Sequence, residues 1–354
     1  MPRVDRTADA IAEYATQRPY YEEFTNKLVE LLRDVLKIKG IDVHLLEGRA
    51  KQVESFREKI SRATKKYTNP IREITDLSGI RIIVYYEDDV EKVCDLIRSE
   101  FTVDLENSVV KRGESRPEVF GYQSIHYVIQ LNATRGSLME WARFRDFRCE
   151  IQVRTVLQHS WAAISHKLQY KRETEVPTVL RRKLHRLSAL MELADEQFLS
   201  MRDANLALVA TLESKIAAGQ LDVEIDRLSV EEFLRTSKTV QQLVEIAKSS
   251  GFDEVTNQEP ESVSALIADA KQFGINSIEQ LNETLSKNRK SARNYLTSVR
   301  SDLGGIWTVD SAFLCRLLIF RVFSSRITLA WLVQTGWGQE PASAVLRALK
   351  KLHS

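Results

Sequence analysis

A change of character at Pro177 constrains this chain more than any other feature. Before it, β-branched and aromatic runs alternate with amphipathic helical ones; from Thr178 onward every period is helical. The clearest strand signal is Ser78 to Tyr86, SGIRIIVYY. Asp42 to Leu46, Val103 to Val110, Tyr122 to Leu131 and Phe144 to Val153 read as further strands. Helical spacing runs through Arg18 to Lys39 (Phe24, Leu28, Leu31, Leu32, Val35), Glu47 to Ala63, Asp88 to Phe101 and Thr155 to Tyr170. Strands mixed with helices predict an α/β or α+β domain. A long apolar stripe follows, with Leu184, Leu187, Leu190, Met191, Ala194 and Phe198. Loops then split the helical remainder. The shift places a soft domain boundary near Gly219, giving 20–218 and 219–354, and 354 residues suit two domains. The phrases SGFDE and FGINS are faintly alike, too slight to make a repeat.

Composition excludes several classes. The formal net charge is only +2, so phosphate-binding chemistry has to come from local clusters. Cys94, Cys149 and Cys315 are far apart and form neither a metal-spaced nor a disulfide pattern, which suits a reducing, cytoplasmic setting. The first eighteen residues are charged and hold no apolar signal core. Arg316, Arg321 and Arg326 interrupt the most apolar stretch, Ile306 to Trp337, which predicts a buried helical core and no membrane span.

Four segments could carry chemistry. In GRAKQVESFREK, Lys51, Ser55 and Lys59 recur every four residues, one helical face with Arg49 at its start. Such a helix N-terminus suits a polyphosphate, although a solvated charged face is the commoner outcome of that spacing. In TDLSGIRIIVYY, Asp76 at the mouth of a strand is a candidate Mg²⁺ ligand, and Arg81 inside it suits a base or an acid. Five residues separate Asp76 from Arg81, so the chain has to bend or begin its strand between them if both serve one site. In FGYQSIHYVI, Tyr122, Ser124 and His126 share one strand face, a candidate nucleoside platform or a half-exposed strand. In EIQVRTVLQHSWAAISHKLQYK, Glu150, Gln152 and Arg154 point one way and Cys149, Ile151 and Val153 the other. His159 and His166 lie on one side of the next helix, but no third ligand at zinc spacing accompanies them.

In this order the four segments resemble the synthetase domain of the RelA/SpoT family, over roughly residues 20–210. The resemblance implies an α+β, nucleotidyltransferase-like fold: a mixed sheet flanked by helices, here followed by an all-helical extension. It implies transfer of pyrophosphate from ATP to the 3′-hydroxyl of GDP or GTP. Arg49 and Arg81 would sandwich the adenine, and Lys51, Ser55 and Lys59 would hold the donor phosphates. Asp76 and Glu150 would ligate Mg²⁺, with Glu150 also taking the proton of the attacking hydroxyl. Tyr122 would stack on the acceptor base; His126, Gln152 and His159 would surround its ribose and phosphates. The segment VVKRGESRPEVFGYQSIH departs from the family's usual pattern, and there Lys111, Arg112 and Arg116 are the candidate acceptor cations. The chain looks like a short, synthetase-only member.

Alternatives stay open on the sequence. Some short relatives modify the tRNA 3′ end or adenine nucleotides, and Lys167, Lys171, Arg172, Arg181, Arg182, Lys183 and Arg186 form a basic run that suits tRNA or plain solvation. A catalytically inactive nucleotide-binding module is the third reading. The extension suits autoinhibition, neutralisation or homo-oligomer formation, and the sequence does not choose among them.

Overall fold

The computed structural model describes residues 6–62, 67–110, 125–168, 178–254, 259–303 and 308–351. The chain divides into two compact units, Met1–Arg202 and Asp203–Ser354. The division falls inside a long helix, upstream of the Gly219 boundary placed from composition.

The first unit opens with α1 (Arg6–Ile38), then β1 (Val43–Ala50), α2 (Val53–Ile60), the short α3 (Pro70–Glu73) and β2 (Ser78–Val84). α4 (Glu87–Glu100), β3 (Phe101–Val110), β4 (Ile125–Leu131), α5 (Ala133–Gly136), β5 (Cys149–Thr155), α6 (Val156–Leu168) and α7 (Thr178–Ala217) follow. The five strands form one sheet in the order β1-β2-β5-β4-β3. Only β2 and β5 are parallel; the other neighbours are antiparallel. This is the mixed, helix-flanked sheet that the resemblance implies, within the α/β or α+β class expected from the alternation of strand and helix signals.

Side chains alternate across a strand, so each strand gives one face to the core. Ile80 and Ile82 of β2, Tyr127 and Ile129 of β4, and Cys149, Ile151 and Val153 of β5 are buried together. Phe24, Leu28, Leu32 and Leu36 of α1, and Val90, Val93 and Ile97 of α4, cover them. Gly48 lets α1 lie close on β1. A Cβ there would sit 2.7 Å from both Thr25 Cγ2 and Val29 Cγ2.

Three segments differ from the sequence reading. α1 starts at Arg6, not Arg18, and runs through Pro19. Tertiary packing outweighs the hydrogen bond that proline removes: buried Tyr14 stacks on Phe56 with ring centroids 4.4 Å apart. Residues 47–50 belong to β1, not to a helix, because they pair with Arg81, Ile80, Gly79 and Ser78. The last strand begins at Cys149, five residues later than Phe144, which instead closes a 3₁₀ turn at Ala142–Phe144. On α7 the buried residues include Ser188 and Asp195, whereas Leu187, Leu190 and Phe198 of the apolar stripe are exposed.

The second unit contains α8 (Arg227–Thr236), α9 (Lys238–Ser249), β6 (Asp253–Glu254), α10 (Pro260–Gln272) and α11 (Ile278–Ser301). Then come β7 (Thr308–Val309), α12 (Ser311–Val322), α13 (Leu329–Gln334) and α14 (Gln339–Lys351). As the interrupted apolar stretch predicted, α12 is core: Leu314, Leu317, Leu318, Ile319 and Phe320 are buried. Its Arg316 is buried against Asp269, Nε to Oδ2 2.6 Å. The likeness of SGFDE to FGINS has a local cause. Gly251 and Gly274 take positive φ just past α9 and α10, and the next amide reaches back to Ala247 and Ala270 respectively. Both are glycine helix C-caps. No helix among the described residues is long and apolar enough to cross a membrane.

Candidate active site

The uncovered ends of β1, β2 and β5 border a cleft of about 350 Å³. Strand register builds its floor. Arg49, Gly79 and Glu150 lie in one row across the three strands, and Glu47, Arg81 and Gln152 in the next. His126 extends the second row onto β4. All have the parity opposite to the buried set. Lys51, Ser55 and Asp76 also line the cleft, with Gly48, Gln52 and Ile80.

Asp76 lies in the turn before β2, so the bend between it and Arg81 exists and both border the cleft. Lys51 and Lys59 share no helix, since α2 begins only at Val53. They converge all the same: Lys51 Nζ is 2.8 Å from Asp76 Oδ2, and Lys59 Nζ 2.8 Å from Oδ1. Burial raises the Asp76 pKa, but the two lysines outweigh it and hold the carboxyl below its usual range. The Lys51 backbone is fixed as well. Its N–H donates to Leu77 O at 2.8 Å, and its carbonyl accepts from Tyr14 Oη at 2.7 Å and Arg18 Nε at 3.3 Å.

Glu150 is held from the other side. His126 Nδ1 is 2.7 Å from its Oε1, and Gln152 Nε2 donates to the same oxygen at 3.0 Å. The His126 hydrogen bond is the largest influence on Glu150, ahead of burial, and its pKa is lowered. Asp76 acts on Glu150 through space in the opposite direction. Arg81 pairs with its cross-strand neighbour Glu47 at 2.9 Å. His159 stands on α6, outside the cleft lining. Burial and the charges of Arg154 and Arg81 lower its pKa, and its Nδ1 is buried with no hydrogen-bond partner among the described residues.

Thus Arg49, Lys51, Ser55, Asp76, Arg81, Glu150 and Gln152 border one cleft, Lys59 reaches it through Asp76, and His126 through Glu150. Lys111, Arg112, Arg116 and Tyr122 lie outside the described residues. Sequence reasoning passed over Glu47, Tyr14 and Arg18. Glu47 alternates with Arg49, a signal visible once the segment is read as strand. The clamp on Lys51 depends on tertiary contacts alone. Among the described residues no cluster of three or more His, Cys, Asp or Glu side chains forms a metal cage. Two carboxylates on one cleft still fit Mg²⁺, which takes few protein ligands and keeps phosphate and water as the rest.

Residues 48–175 match the region found in RelA / SpoT proteins. GTP pyrophosphokinase YjbM of Bacillus subtilis (strain 168) is 30% identical over 186 residues, spanning 47% of this chain and 81% of the relative. GTP pyrophosphokinase YwaC of the same organism is 27% identical over 162 residues, 44% of this chain and 74% of the relative. Among solved structures, small alarmone synthetase 1 from Bacillus subtilis aligns with a TM-score of 0.44 at 23% identity, covering 55% of this chain and 99% of that one. The chain belongs to the RelA/SpoT family.

Proposed function

We propose that this chain is a pyrophosphokinase that transfers the β,γ-pyrophosphate of ATP to the 3′-hydroxyl of GDP or GTP. The observation that carries the reading is the cleft itself: Asp76 and Glu150 share it with Arg49, Lys51 and Arg81, and Lys59 reaches Asp76 from α2. The names of the two bacillary relatives point the same way. In this reading the acceptor 3′-oxygen attacks the β-phosphorus. The bond from that phosphorus to the α,β-bridging oxygen breaks, AMP leaves, and Glu150 takes the hydroxyl proton. Lys51 and Lys59 exchange Asp76 for the donor phosphates, and Arg49 and Arg81 flank the adenine. Tyr122, His126, Gln152 and His159 receive the acceptor, with Lys111, Arg112 and Arg116 as further cations. Asp76 and Glu150 would hold Mg²⁺, which when bound supplies charge neutralisation to the pyrophosphate. Such a transfer depends on alignment and charge more than on covalent chemistry.

The test is to incubate purified protein with γ-labelled ATP and, separately, GDP, GTP, ATP or tRNA. Label on GDP or GTP supports the reading. Label confined to tRNA or an adenine nucleotide replaces the acceptor, and no transfer to any of them overturns the enzyme.

A further inference from the structure

Two glycines stand in the five-stranded sheet, and packing accounts for only one of them. Gly48 faces α1, where a Cβ would meet Thr25 and Val29 at 2.7 Å. Gly79 faces the cleft. Glycine inside a strand weakens it, and it marks a bulge, a tight bend, or the close approach of another backbone or a ligand. β2 has no bulge at Gly79: its register runs unbroken against β1 from Ser78 to Ile83 and against β5 from Ser78 to Val84. No left-handed backbone requires glycine there either, since its φ is not positive. No other backbone covers it. Among the described residues, a Cβ at Gly79 would meet nothing nearer than Arg49 O at 3.9 Å and Glu150 O at 4.0 Å, both in the strands that pair with β2. Of the causes of a mid-strand glycine, a ligand is the one left.

The position says which part of a ligand. Lys51 donates its N–H to Leu77 O, so the cluster of Lys51, Lys59 and Asp76 lies beyond one end of β2. Arg81, opposite Glu47, lies the other way. Gly79 is midway, two residues or about 7 Å along the strand from Leu77 and from Arg81. Arg49 and Glu150 flank it in the same row, and both line the cleft. A nucleotide with its base at Arg49 and Arg81 and its phosphates at Lys51 and Lys59 therefore crosses this row at the one place without a side chain. We propose that Gly79 seats the ribose of the donor: bare strand backbone lets the sugar of a nucleoside triphosphate lie directly on β2. The orientation of that nucleotide rests on the reading under Proposed function.

The experiment titrates the full chain, Gly79→Ala and Gly79→Val calorimetrically with two probes, an α,β-methylene ATP analogue and inorganic tripolyphosphate, each with Mg²⁺. One methyl forced into a close-packed contact should weaken the analogue roughly 5- to 150-fold, and Gly79→Val should weaken it further. Tripolyphosphate, which has no sugar, should bind all three proteins alike. Thermal melting should place Gly79→Ala at or above the unaltered Tm, because alanine restricts the unfolded chain and meets no close neighbour in the folded one. Equal affinity of the analogue for the unaltered chain and Gly79→Ala overturns the proposal. So does an equal loss for tripolyphosphate, which would put phosphate and not sugar at Gly79. A lowered Tm for Gly79→Ala overturns it as well, since the glycine would then serve the fold. Gly79→Ala decides alone if Gly79→Val does not fold. A protein that transfers no pyrophosphate yet shows the graded, sugar-dependent loss would sink the enzymatic reading and leave the Gly79 seat standing.

Discussion

Asp76→Asn should uncouple the donor lysines from the carboxylate that holds them and so largely remove the response of ATP binding to Mg²⁺. Both Asp76 oxygens are taken, one by Lys51 and one by Lys59, each at 2.8 Å. Side-chain exposures of 17%, 26% and 24% for Lys51, Lys59 and Asp76 place these pairs between the surface and the interior. Exposed pairs contribute about 0–1 kcal/mol, and hydrogen bonds to charged groups about 1.5–3 kcal/mol. A net loss of about 1–2 kcal/mol follows, a Tm lower by roughly 3–6 °C for a unit of this size. The neutral amide cannot satisfy two ammonium groups, so at least one lysine is released to a phosphate. At about 1 kcal/mol per freed lysine, Mg²⁺-free ATP should bind roughly 5- to 30-fold more tightly than to the unaltered chain. Adding Mg²⁺ should tighten binding to the unaltered protein and do little for the variant, while transfer falls. Calorimetric titration with a non-cleavable α,β-methylene ATP analogue, with and without chelator, reads both effects. Equal Mg²⁺ dependence in the two proteins, or weaker Mg²⁺-free binding by the variant, would refute the reasoning.

Glu150→Gln keeps the volume and removes the charge, so kcat should fall by at least about 10²-fold while circular dichroism stays unchanged; a retained rate would show that Glu150 is not the base. Gly48→Ala should cost about 1–3 kcal/mol in chemical denaturation through overpacking against Thr25 and Val29. Gly79→Ala is its control, because a Cβ there meets nothing closer than Arg49 O at 3.9 Å; equal losses at the two positions would contradict the packing argument. The Asp76 and Glu150 carboxyls both bind protons less readily in the fold than in the unfolded chain. Their stabilisation is therefore complete above the ordinary carboxylate pKa of about 4 and lost as pH falls through their lower folded values. The stability gap between the unaltered chain and Asp76→Asn should stay flat from about pH 7 to 5 and close below about pH 4; a gap that widens in acid would reverse the assigned direction.

The β5 segment was legible because period-two alternation is a strong local signal: Glu150, Gln152 and Arg154 face out while Cys149, Ile151 and Val153 are fully buried. β2 was legible from its β-branched run. The extension of β1 through EGRA was not. Those residues carry no β-branched side chain, and the spacing by four of Lys51, Ser55 and Lys59 just after them imitates a helix. Only pairing with β2 makes them strand. The start of α1 was hidden by Pro19, a local stop signal that the buried Tyr14 overrides. The convergence of Lys51 and Lys59 came from a spacing argument whose premise of one helix does not hold. The result survives because α2 and the link before it both face the Asp76 turn. His126, read as an acceptor contact, stands against Glu150. No local pattern announces a bond between neighbouring strands.

One topological fact brings the two carboxylates together. β2 and β5 are the sheet's single parallel pair, in register Ser78 to Cys149 and Gly79 to Glu150. Asp76 precedes the first of these strands, and Glu150 is the second residue of the other. Parallel pairing places both starts at the same edge. Had the pair been antiparallel, the start of one seven-residue strand would lie beside the end of the other. At about 3.3 Å per residue the carboxylates would then stand roughly 20 Å apart, too far for one metal ion or one pyrophosphate. The antiparallel neighbours then supply what each carboxylate needs. β1 leads directly into Lys51 and α2, which neutralise Asp76. β4 runs back along β5 and lays His126 against Glu150. The mixed sheet is thus the arrangement that joins the acids and separates their partners: lysines on the β1 side, an imidazole on the β4 side. That asymmetry is what two carboxylates need if one is to surrender its lysines to a polyphosphate while the other keeps its orientation to take a proton.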